Sequence, residues 1–135
     1  MADVTITAAN VLKGTGAIVT RGTAGASLTA GLVVYADSSD GGKYKAADCV
    51  TSAATAAAVG IALHAAADEQ PVQILTSGPI TIGGTVVAGT SYILSTSGGI
   101  CPDADKTTGD RVVRLGYASS ASVLQVSIQN TGVTL

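Results

Sequence analysis

Residues 59–95, VGIALHAAADEQPVQILTSGPITIGGTVVAGTSYILS, decide how the rest of this chain is read. Ile61 and Leu63 alternate with small residues, and Val72 and Ile74 alternate with Gln73 and Leu75. Ile80 and Ile82 flank Thr81, and Tyr92 and Leu94 flank Ile93. Gly, Pro or an Ala/Asp-rich turn closes each run. Two-residue periodicity over such short runs marks half-buried antiparallel strands, and four are expected here.

Working outward, the same grammar recurs on both sides. Residues 28–37 turn at Ala30-Gly31 and then form a strand with Val33 and Tyr35 on one face. Ser38-Ser-Asp-Gly-Gly42 is a turn, since Asp-Gly tolerates positive φ, and residues 43–45 return from it. On the other side, Thr96-Ser-Gly-Gly99 turns into Ile100-Cys-Pro102, and residues 103–110 read as a polar loop. Residues 111–117 and 122–129 are two more strands, followed by a polar tail from Asn130. Ala17–Thr20 is another short strand, and residues 1–16 an N-terminal strand or arm, on the alternation of Val4 and Ile6. Only residues 48–58 favour a helix, short and Ala-rich, with Asp48 placed to cap it.

The expected fold is therefore all-β, a small antiparallel β-barrel or β-sandwich in one domain over 17–135. An internal echo points to duplicated halves, in the manner of a β-clip. Gly25-Ala-Ser-Leu-Thr-Ala-Gly31 is answered by Gly83-Gly-Thr-Val-Val-Ala-Gly89, and Gly60-Ile-Ala62 by Gly116-Tyr-Ala118. Gln73–Gly78 is answered by Ser127–Gly132, which sets the two copies at about 25–78 and 83–132.

Composition bounds the function. At 135 residues, 47% apolar, with no Phe, no Trp and four Tyr, the core must be built from Val, Ile, Leu and Ala. Such a core is thin, and apolar surface is expected to be buried between copies of the chain. A net charge of −2 with no basic cluster argues against nucleic acid as a partner. No apolar run reaches the roughly 20 residues of a membrane span. MADVTITAANVLKG lacks the basic and apolar regions of a signal peptide, so synthesis in a cytoplasm is expected. Cys49 and Cys101 then read as buried thiols rather than a disulfide.

Chemistry-bearing residues are few. His64 is the one histidine, and Asp68 or Glu69 could orient it for acid–base work. No G-x-S-x-G elbow and no second His accompany it. Residues 103–110 (DADKTTGD) resemble an oxygen-rich calcium loop, but Lys106 intrudes, Gly109 comes late and Arg114 stands where a closing acid belongs. The glycines complete no phosphate cradle. No catalytic residue, cofactor or metal site is expected.

Four stretches carry a resemblance: residues 28–35 (LTAGLVVY), 59–78, 79–95 (PITIGGTVVAGTSYILS) and the ending RLGYASSASVLQVSIQNTG. Together they resemble the decoration or cement proteins that tailed bacteriophages carry on the outside of their heads, and related head-fibre and tail modules. The resemblance implies a compact β protein, often trimeric, that binds an assembled capsid between major capsid protein subunits and clamps them. The virion's outer surface would be its location. A head-fibre, tail or baseplate module used in attachment is the alternative. Val4, Ile6, Asp40 and Tyr44 are the expected partner contacts, from the N-terminal segment and the 38–42 loop region.

Overall fold

The computed structural model describes residues 3–135. The described residues form ten strands in one curled antiparallel sheet, a half-barrel. They are β1 (Val11–Lys13), β2 (Ile18–Thr23), β3 (Val33–Asp37), β4 (Lys43–Ala46), β5 (Ala58–Ala62), β6 (Pro71–Ile82), β7 (Ser91–Leu94), β8 (Ile100–Pro102), β9 (Arg111–Ala118) and β10 (Val123–Thr134). The only helices among the described residues are three 3₁₀ turns.

The sheet is built from one path used twice. β2 pairs with β6, β6 with β5, β5 with β3 and β3 with β4. In the same sequence, β6 pairs with β10, β10 with β9, β9 with β7 and β7 with β8. Backbone bonds repeat with the strands. Gly31 donates to Ala62 and Ala62 to Leu32; in the second unit Gly89 donates to Ala118 and Ala118 to Thr90. Each unit begins with the strand before the Gly25 or Gly83 landmark, so β6 serves both, as the last strand of the first and the first of the second.

This sharing changes the expected strand count. The runs around Val72/Ile74 and Ile80/Ile82 are one 12-residue strand, not two. Gly78-Pro79 does not end it, because the pairing shifts there: Ile18 faces Ser77 while Val19 faces Leu75. Pro79 has no N–H to donate, but its carbonyl accepts from Gly14, where the edge partner turns away between β1 and β2. Its 12 residues span about 40 Å at ~3.3 Å each, enough to pair with two sets of neighbours in series.

Two other expectations need correcting. The expected helix at 48–58 is absent: residues 48–57 form turns and Ala58 begins β5. The Asp48 carboxylate accepts from Val50 and Thr51 N–H, and Thr55 and Ser52 bond to one another, which offers the backbone an alternative to helical bonds. The polar tail from Asn130 is the end of β10, paired with β9 through Thr134↔Arg111. In the N-terminal segment, β1 belongs to the sheet, while Val4 and Ile6 lie in an extended arm outside any strand.

Two apolar clusters hold the sheet. The larger takes Val33, Ile61, Leu75, Ile80, Ile82, Tyr92, Leu94, Ile100, Leu115 and Leu124. The smaller takes Val34, Ala62, Val72 and Ile74 from the opposite face, beneath Ala24, Leu28 and Ala66 of the loops around 24–32 and 63–70. β3, β5 and the first half of β6 are thus buried on both sides, which explains why their sequences read as nearly continuous apolar runs.

β9 approaches β10 closely at Gly116. Its φ is +148°, and a Cβ there would collide with the Gln125 carbonyl. Gly116→Ala is therefore expected to destabilise the fold by about 3 kcal/mol or more, since neither backbone can give way without breaking the ladder. Thermal unfolding against the parent reads this directly; a melting temperature within a degree of the parent would contradict the register described.

Candidate functional site

The residues expected to touch partners fall in two separate places, and each is already engaged within the chain. Val4 and Ile6 are half-buried against the larger cluster. Tyr44 is half-buried in the smaller one, its ring packed under Gly22 where no side chain would fit. Asp40 lies 3.2 Å from Lys45 Nζ and 3.7 Å from Lys43 Nζ.

Those lysines tie the β3–β4 turn together. Lys45 Nζ donates to Asp37 Oδ2 at 2.8 Å, and Lys43 pairs with Glu69 across from the β5–β6 connection. The Lys45 bond, helped by Ser39, holds the Asp37 carboxyl down at about 2. Lys45 is raised in turn by Asp37 and Asp40. These groups are half-buried and still reach solvent, so the pairing contributes modestly and salt weakens it.

His64 has a structural task. Gln73 N–H donates to its Nε2 at 3.1 Å, and its Nδ1 lies 3.0 Å from the Ala65 carbonyl, which makes Nδ1 the protonated nitrogen. The imidazole extends the β5–β6 ladder by one acceptor. Glu69 is committed to Lys43. Both thiols are buried and free: burial, with Asp110 beside it, pushes Cys49 up to about 12, and burial pushes Cys101 up to about 11. Neither is a nucleophile at neutral pH. Among the described residues, no group of three His, Cys, Asp or Glu is placed to hold a metal ion. In the 103–110 loop, Lys106 pairs with Asp103, while Asp110 turns inward to accept from Thr107.

The feature suited to a partner is a bare sheet face. Where Ile80, Ile82, Leu124 and Val126 point into the larger cluster, the alternate residues of the same strands point the other way. The register sets them in rows: Leu12–Thr81–Val123, Pro79–Gln125–Tyr117–Ser91 and Ile18–Ser77–Ser127. No residue in these rows is charged; Arg114, further along β9, lies beyond them. Leu12 is 63% exposed, Ile18 60% and Tyr117 53%. This is the same side of β6 that the 24–32 and 63–70 loops cover in the first unit. Depletion of charge around exposed aliphatic and aromatic anchors is the composition of an interface core.

Sequence reading missed this face because no local signal marks it. Leu12, Tyr117 and Val123 lie on three strands that only the pairing brings together. Compared with known proteins, the chain matches no protein-family model and no curated sequence.

Asp37 predicts an acid limb. Its folded value lies below the ordinary 3.8, so the stability it adds is complete above about 4 and is lost as pH falls from there through about 2. The Asp37→Asn variant should lose stability at neutral pH and show a flatter decline across that window. Parallel melts at pH 6 and pH 2.5 check this; equal declines in parent and variant would rule it out.

Proposed function

We propose that this chain is a virion structural protein, a decoration protein that sits on the outside of an assembled tailed-bacteriophage head and stabilises it. The single observation that carries this reading is the charge-free, uncovered face formed by β1, β2, β6, β10 and β9. A protein that clamps a lattice needs a broad surface matched to its neighbours and no deep pocket. Sheet strands held in register provide a flat, rigid platform of that kind. The face offers Leu12, Ile18 and Tyr117 as anchors among small polar side chains, the pattern in which a few buried residues carry most of the binding energy.

The remaining features support the same reading. The sequence stretches that resemble decoration proteins, residues 28–35 and 59–95, supply strands β3 and β5 to β7. A net charge of −2 keeps repulsion small between copies crowded on one surface. The partner in this reading is the major capsid protein, with the chain acting as a homotrimer, synthesised in the host cytoplasm and bound after the shell has formed.

Capsids lacking the protein, mixed with it and sedimented, test the proposal. The parent should co-sediment and raise the temperature at which the capsids lose their DNA. Leu12→Asp with Tyr117→Asp places two charges on the bare face and should weaken binding at least tenfold, while leaving the isolated chain's melting temperature nearly unchanged because both positions are exposed. Undiminished binding by this variant would remove the face from the mechanism. A parent that ignores capsids would end the decoration reading.

A further inference from the structure

The N-terminal arm fills a place that the fold's own repetition leaves open. In the first unit, the end of β2 closes directly on β4: Ala24 bridges Tyr44 in parallel, and Gly25 N–H donates to the Tyr44 carbonyl at 2.8 Å. The corresponding step in the second unit would bring the end of β6 onto β8. No strand pairing joins those two. The arm lies between them instead, with Val4 N–H donating to Ile100 O at 2.7 Å on β8 and Thr7 N–H to Gly83 O at 2.8 Å just beyond β6.

The seam is shaped for an extended backbone. A Cβ at Gly83 would stand 2.5 Å from the Thr7 carbonyl oxygen, and one at Gly99 would stand 2.6 Å from Asp3 Oδ2. Side chains at either place would lift the arm away. At its outer end, Ser95 Oγ donates to Asp3 Oδ1 at 2.5 Å. The arm's link to the body is Ala8–Asn10, a 3₁₀ turn that buries no residue.

We propose that this seam is a strand-accepting site and that in the assembled protein it holds the arm of a second copy, each chain giving residues 3–7 to the next. Identical copies make identical bonds, so an arm seated in its neighbour forms the contacts described above with nothing lost but the tether. A tether confers an effective concentration in the millimolar range, which neighbouring arms match when copies are held side by side. With residues 3–7 seated, the link that crosses between copies is Ala8–Asn10, about 10 Å when extended at ~3.3 Å per residue, so exchange takes place between copies whose seams lie side by side. Exchange of this head-to-tail kind closes into a ring when the rotation between copies permits, and exchanged elements are a low-cost route to oligomers. The crowding argument rests on the lattice reading above; the seam itself does not.

The test uses the full chain with Asp3→Cys and Ser95→Cys, whose parent side chains meet across the seam, in a background where Cys49 and Cys101 are Ala, oxidised at millimolar concentration and then denatured. Exchange predicts covalent trimers and their open-chain precursors. Cross-linked monomers alone would overturn it. In parallel, light scattering on the chain with Gly-Gly-Ser inserted after Ala9 reads the same question without new thiols. A longer turn relieves the short link and favours the arm's own seam, so the mass should fall from trimer to monomer. A mass unchanged by the insertion, or a parent that is monomeric at millimolar concentration, would equally overturn it. Capsid binding by such a monomer would leave the decoration reading standing, so the two ideas fail separately.

Discussion

The backbone ladder of β6 is the interaction on which everything else depends. This strand bonds to β2 and β5 through its first half and to β1 and β10 through its second. Unpaired buried peptide groups are too costly to leave, so a strand that changes neighbours midway must redirect its donors and acceptors there. The pairing shift next to Thr76 and the positive φ of Gly78 perform that redirection. Pro79 is tolerated because the neighbouring edge has its break at the same level. Everything outward of β6, in either direction, repeats one plan because each half starts from the same kind of pairing.

Without Phe or Trp, the protein stabilises this plan by close approach more than by large side chains. The buried residues are mainly Val, Ile, Leu and Ala, and glycines sit where backbones come nearest, as at Gly116 against β10 and Gly83 under the arm. A core of small aliphatic groups has little volume to spare, and Leu or Ile to Ala changes in such cores typically cost ~2–5 kcal/mol. Burial on both faces of β3, β5 and the first half of β6 offsets this thinness by giving one layer of strands two sets of apolar contacts. In the second half of β6 that doubling stops. The same face, left uncovered and free of charge, is the surface most suited to a partner. Stability within the first unit and binding by the second are in this sense two uses of one sheet face.

Much of the architecture was legible in the residues. Strand alternation and Gly-containing turns located the strands of the 59–95 stretch, β9 and the start of β10, and indicated an all-β chain. The matching glycine landmarks, Gly31 with Gly89 and Gly60 with Gly116, stand at equivalent places in the two strand paths. The Ala-rich stretch at 48–58 misled because helix propensity is a weak local preference, and the Asp48, Ser52 and Thr55 side chains offered its backbone other partners. The polar residues of the β10 tail hid a strand because an exposed strand need not alternate.

By itself the sequence determined the class of secondary structure, most turn positions and the absence of recognisable catalytic motifs, since periodicity, φ preference and motif spacing are local properties. Only the tertiary structure decided that 71–82 is one strand, that the arm of Val4 and Ile6 lies in a seam, and that Leu12, Ile18 and Tyr117 share a face. Each of these depends on which distant segment supplies a hydrogen-bonding partner. A strand's own alternation says that it has two faces and two edges, but not what will cover them.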